Sequence, residues 1–345
     1  YFFQSGLDWW SARGSLFITT AEGFFLISGL VLGIVRGSKL INEPFRKVAK
    51  LLLKRGTQLY ITTIILVLLF TMIGWLFFLD NPGLKAGILP PATGIFELIW
   101  QTITLQYFYG WADYLRLYAI FMLVSPIALW LLRKGRWYIL LFINLVVWLL
   151  FPSDINVPDT TQELLQPLTW QLIFFGGMTI GFYWNAITSW WRTLKQSTQF
   201  IVKVGILGSA LITLVINVFI VFVLPNLNIQ HLPLLNNIEY NLYINYFDKE
   251  RLPLARLVMF LLWFSAAFYL FRRFEAKICR FLGWLLLPFG ENSLYVYTLH
   301  AFLIFFIHLI FQEGSIVFNL TISLMAIALI RVAIHYKFLM KIIPR

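Results

Sequence analysis

Two side chains of this 345-residue chain are set to handle a proton from within long apolar stretches, Glu22 and His300. An ionisable group inside such a stretch is expensive unless it faces protein or water, so these positions are the candidate catalytic residues. The run PFGENSLYVYTLH puts Ser293, Tyr297 and His300 at offsets of four and seven, on one face of a helix. Ser293 and His300 then lie roughly 10 Å apart along that helix. His300 is either a proton carrier or a hydrogen-bonded interior residue, and sequence alone leaves both open. Glu22 is either part of a site or a structural partner of Arg13, Arg55 or Arg116.

Further polar groups cluster at the ends of apolar runs. The segment WADYLRLY brings together Trp111, Asp113, Arg116 and Tyr118, which form either an interfacial belt with a surface ion pair or the rim of a site. Trp170 and Gln171 precede FFGG in a similar setting, and Lys54 with Arg55 stands where a cation can reach a phosphate. The candidate substrate-binding residues are therefore Arg55, Asp113, Arg116, Tyr118, Trp170, Gln171, Ser293 and Tyr297. His231, His308 and His335 read as structural. Four dispersed histidines and the single Cys279 make no metal-ligand set, so no metal is expected.

The elements that must hold these groups are membrane helices. Hydrophobic residues make up 60% of the chain and charged residues 12%, well below the roughly 25% charged of soluble domains. Nine apolar segments approach the about 20 residues a bilayer requires: 14–35, 57–79, 115–132, 137–151, 167–187, 200–224, 253–271, 293–311 and 315–334. None alternates with a period of two, so the expected fold is an all-α polytopic bundle of about nine transmembrane helices. No internal repeat is visible, and residues 1–345 read as one domain.

Charge orders the spans. Of the 27 Lys and Arg residues, 21 fall in the stretches 36–55, 133–136, 192–203, 272–280 and 331–345, whereas only Glu43 and Glu275 of the 15 acidic residues do. Loops rich in Lys and Arg stay on the cytoplasmic side, so these stretches and the C-terminus are expected inside and residues 1–13 outside. The net charge of +12 then suits lipid headgroups and an anionic cytoplasmic ligand rather than nucleic acid. The outer segments 80–114, 152–166 and 225–252 carry Tyr107, Tyr109, Trp111, Tyr240, Tyr243 and Tyr246, suited either to interfacial anchoring or to stacking on sugars.

Taken in order, AEGFFLISGLVLGIVRG, KRGTQLY, WADYLRLYAIFMLVSPIALWLLR, PLTWQLIFFGG and LPFGENSLYVYTLH resemble the membrane-bound acyltransferase-3 superfamily, and within it the OpgC branch associated with succinylation of periplasmic glucans. The resemblance covers most of the chain. It implies about ten transmembrane helices in a bacterial inner membrane, acyl-CoA as donor from the cytoplasm, and a glycan hydroxyl as acceptor. It also implies a catalytic histidine at the end of a first helix that this sequence does not contain, and the chain is expected to begin where that helix would finish. By motif position, Glu22, Arg55, Asp113, Trp170, Gln171 and His300 carry over as residues lining the site. The expected function is transfer of an acyl group such as succinyl or acetyl from acyl-CoA to an extracytoplasmic glycan. A proton-coupled transporter or flippase is the alternative, with Glu22 and His300 as a mid-membrane relay.

Overall fold

The computed structural model describes residues 16–81, 84, 88–109, 113–150, 166–224, 238–311 and 314–340. Arg13, Trp111, His231 and the side chain of Asp113 lie outside the described residues. The described chain is helical, with no strand. Among the described residues, seven helices are long and apolar enough to cross a membrane. Helix α1 (Thr20–Leu32) continues through a π-helical turn, Gly33–Ser38; α2 is Phe45–Phe77, and α3 (Ile95–Ile103) is a short amphipathic helix. Then come α4 (Asp113–Arg133), α5 (Trp137–Leu150), α6 (Pro167–Phe182), α7 (Trp184–Thr193) and α8 (Gln196–Val218), which ends in a second π-helical turn. The chain closes with α9 (Ile238–Leu242), α10 (Leu254–Glu291), α11 (Ser293–Ile310) and α12 (Ile316–His335).

Several expected boundaries move. α5 and α6 have 14 and 16 residues, about 21 and 24 Å of helix, short of a roughly 30 Å hydrocarbon core. The span expected at 167–187 breaks at Tyr183, where α6 hands over to the tryptophan-rich α7. The stretch 272–280, expected as a loop, is helical: α10 runs for 38 residues without interruption. α3 and α9 lie within segments read as outer loops. Basic stretch 133–136 does form the expected hairpin. Gly135 adopts φ +70, Arg136 N–H donates to Leu131 O and Gly135 N–H to Leu132 O, so α4 closes in a glycine-capped motif that turns directly into α5.

α4 is central and packs along α2, whereas α8 lies at the rim with Asn217 as the buried residue of its α-helical part. Asn217 Oδ1 accepts hydrogen bonds from the backbone of Leu16 and Phe17, and Trp263 Nε1 donates to Thr213 Oγ1, tying α8 to the chain before α1 and to α10.

The closest packing is between α1 and α6. A Cβ at Gly29 or Gly33 would run into the carbonyls of Phe174 or Met178, and one at Gly177 or Gly181 into those of Leu26 or Leu30. Each helix thus offers a pair of glycines four residues apart to the backbone of the other, the close approach that small residues permit where lipid supplies no hydrophobic drive between helices. Gly23, at the same helical level as Glu22, and Gly176 face open space. Replacing Gly29 or Gly181 with Ala should therefore lower stability by about 1–3 kcal/mol, the range for overpacking. Gly176→Ala should be neutral; thermal unfolding of the three variants in detergent measures the difference.

Candidate functional site at the basic end of the bundle

A cavity of about 660 Å³ lies between α1, α2, α4 and the junction of α10 with α11. Arg36, Lys54 and Arg55 supply its charge; Ser28, Gln58, Tyr118 and Ser293 supply uncharged polar groups; the rest of the lining is apolar, and no carboxylate of the described residues contributes. Arg36 sits on the π-helical turn that ends α1, where widening of the helix re-aims a side chain. Arg55 and Gln58 are three residues apart on α2 and so share a face. Two guanidinium groups cannot be neutralised by losing protons. An anionic ligand is what offsets three cations crowded around a partly apolar space.

From the cavity a column of aromatic and polar side chains continues toward the opposite end. Tyr118 and Tyr114 are one turn apart on α4, and Phe24 of α1 packs edge-on to both, with ring centroids 5.9 and 6.2 Å away. Tyr297 faces Tyr114 at 6.3 Å. Since Ser293 and Tyr118 share the cavity and Tyr297 meets Tyr114, α4 and α11 run antiparallel in register. His300 then lies about 4.5 Å beyond Tyr297 toward the opposite, acidic end, where Asp248 and Glu250 flank Lys249. Lys249 closes the column there: its Nζ donates to Tyr114 Oη at 3.4 Å and stands 5.7 Å from the ring centre. Sequence reasoning passed over Lys249, which sits in the mixed-charge string DKER of an outer segment.

The structure thus brings Arg55, Tyr118 and Ser293 together in one cavity and sets Tyr297 against Tyr114 on its continuation, with His300 following one turn along α11. Other candidates go elsewhere. Trp170 is fully buried, edge-on to Phe25 at 5.4 Å, with Nε1 donating to Lys249 O. Gln171 Nε2 donates to Asn144 O and clips α6 to α5. Arg116 is buried with its guanidinium 4.3 Å from the Phe108 ring centre, away from the cavity. Tyr107 and Tyr109 are buried as well, so neither is a sugar platform, while Tyr240 and Tyr246 are exposed. Burial pushes the Tyr107 phenol up to about 12 despite its bonds with Thr71 Oγ1 and Leu89 N–H.

Glu22 is at a different depth from the one expected. It is the third residue of α1, in the first turn of its helix and not midway along it. Its Oε2 accepts from the backbone N–H and hydroxyl of Thr19 at 3.0 and 2.8 Å, reaching back over the helix start. Its Oε1 accepts from Arg256 Nε at 2.5 Å, with both side chains buried, and Arg256 also donates to Phe247 O. The structural partner is Arg256 of α10, not Arg55 or Arg116. One sequence signal was available: Arg256 is an ionisable residue three positions inside an apolar span, as conspicuous as Glu22.

The family model described as OpgC protein matches residues 4–342, and the chain belongs to that family. No curated protein and no solved structure matches it. Membership supports a membrane-embedded acyltransferase acting on glucan. For the Glu22–Arg256 pair the expected outcome is structural. Glu22→Ala leaves a buried guanidinium uncompensated and should destabilise the protein by about 3–5 kcal/mol, whereas Glu22→Leu combined with Arg256→Met should restore most of the loss. Thermal unfolding of both proteins in detergent provides the comparison.

Proposed function

We propose that this member of the OpgC family transfers an acyl group from an acyl-CoA bound at the basic end of the bundle to a hydroxyl of a glucan at the other. The observation that carries this reading is the cationic cavity bounded by Ser293, the first residue of the stripe that continues along α11 through Tyr297 to His300. The basic clusters face the cytoplasm of a bacterial inner membrane, and so does the C-terminus. Arg36, Lys54 and Arg55 hold the phosphates of CoA, with guanidinium forks making the stronger, charge-assisted contacts. The pantetheine arm follows the apolar wall formed by Phe24 and Leu32, past Tyr118, and brings the thioester level with Tyr297.

The chemistry is acyl transfer with general base assistance. The His300 imidazole takes the proton of the attacking glucan hydroxyl, and its oxygen bonds to the thioester carbonyl carbon. The C–S bond then breaks, and the imidazolium returns a proton to the departing CoA thiolate. Tyr297 donates toward the oxyanion formed in between, as preorganised donors do in acyl transfer. Lys249 and the exposed tyrosines Tyr240 and Tyr246 receive the acceptor at the acidic end.

Reconstituted into liposomes with labelled acyl-CoA inside and glucan outside, the protein should acylate the glucan. Arg55→Ala should raise KM for acyl-CoA at least about tenfold, the value of a lost charge-assisted bond, with a smaller change in kcat. His300→Gln should lower kcat by about 10²–10⁴, the usual contribution of a positioned base, with little change in KM. Glucan accumulation driven by a pH gradient without any covalent product would instead establish the transporter reading.

A further inference from the structure

Helix α10 has more length than the depth it crosses. Arg256 and Gly290 are separated by about 51 Å of helix axis at 1.5 Å per residue. α1 covers the same interval, from Glu22 beside Arg256 to Arg36 in the cavity wall shared with Gly290, in about 21 Å. A straight α10 parallel to the bundle axis cannot join those two levels. The helix therefore tilts or bends away from that axis, and a groove of about 270 Å³ runs along one face, lined by α10 residues alone, among them Phe271, Ile278, Cys279 and Leu286. Pro288 inside its last turns removes a backbone donor, an established cause of bending. The surplus half stays at the basic end, where Arg331 of α12 donates to Trp284 O.

This half is almost bare of protein. Among residues 271–287 only Gly283 is buried, while Phe271, Phe274, Phe281, Leu282, Trp284, Leu286 and Leu287 are exposed. Helical periodicity sorts the side chains. Phe271, Phe274, Ile278, Phe281, Leu282 and Leu285 fall within an arc of about 100°, and Arg272, Arg273, Lys277 and Arg280 occupy the other side, which Trp284 and Leu287 share at its far end. Glu275 is the segment's one carboxylate and is already paired with Arg272 at 3.0 Å. A helix with phenylalanine and leucine on one face and three further cations on the other matches the pattern of segments that lie within a membrane surface.

We infer that residues 271–287 of α10 lie in the plane of the membrane at its basic face and bind anionic phospholipid headgroups. The apolar arc enters the boundary between headgroups and acyl chains, and Arg273, Lys277 and Arg280 extend their stems to the phosphates. A zwitterionic surface accommodates the apolar arc equally well. Anionic lipid adds the charge term, worth about fivefold in partitioning for each Lys or Arg near the surface.

Cys279, the chain's single cysteine, is exposed on this segment and provides the probe. A nitroxide is attached to Cys279 of the full chain, which is reconstituted into vesicles of phosphatidylcholine alone or with one third phosphatidylglycerol. Power-saturation electron paramagnetic resonance compares its collisions with oxygen and with a water-soluble nickel chelate. The oxygen-to-nickel ratio should rise several-fold with phosphatidylglycerol and fall back in about 1 M salt, where the screening length is about 3 Å. The triple change Arg273→Gln, Lys277→Gln, Arg280→Gln should abolish that lipid-dependent rise. A label equally wet, or equally deep, in both vesicle types overturns the inference, as does a full rise in the triple variant.

Discussion

The contact of α1 with the backbone of α6 fixes the rotation of α1, and everything built on that helix follows. With Gly29 and Gly33 pressed against carbonyls of α6, the residues at Phe24, Ile27, Ser28, Val31 and Val35 are turned to another side and become one wall of the cavity. They recur at the three- and four-residue intervals of a single helical face. A larger residue at either glycine would require the backbones to separate. In a bilayer such a gap gains nothing from the hydrophobic effect, because lipid tails are as apolar as the side chains.

Charge is handled differently at the two ends of the same helix. At the start of α1, Glu22 and Arg256 are buried, paired and hydrogen-bonded by Thr19 and Phe247, which is how a buried ion pair becomes tolerable. At its end, Arg36 meets Lys54 and Arg55 around open volume, with no described carboxylate to balance them. The first arrangement fixes α1 against α10. The second leaves a cationic space that a ligand can complete, and the contrast separates a structural ion pair from a binding site more clearly than burial alone does.

Much of the fold was legible because membrane helices are specified locally. Apolar length, the absence of two-residue alternation and the clustering of Lys and Arg located the seven long spans and the hairpin at Gly135. Where reading failed, the competing rule is identifiable. The basic composition of 272–280 suggests a loop, yet Arg, Lys, Ala, Leu and Phe all propagate a helix, and basic residues mark an interface without breaking one. α3 and α9, of nine and five residues, are too short for apolar length to mark them within a long polar-aromatic segment. Apolar length alone places the start of the first span near Gly14 and so puts Glu22 two turns along it, whereas the helix starts at Thr20.

The sequence by itself determined an all-helical membrane protein, the order of its spans, the presence of Glu22 as a buried charge and the stripe of Ser293, Tyr297 and His300, all consequences of composition and helical period. Tertiary structure alone decided that Glu22 belongs to Arg256, that Gln171 and Trp170 serve packing, and that Arg36 joins Arg55, Tyr118 and Ser293 around one cavity. The reason is physical: periodicity fixes which residues share a face of one helix. Which faces meet depends on the rotation and depth of each helix, set by contacts between residues distant in sequence, 27 positions apart for Gln171 with Asn144 and 234 for Glu22 with Arg256.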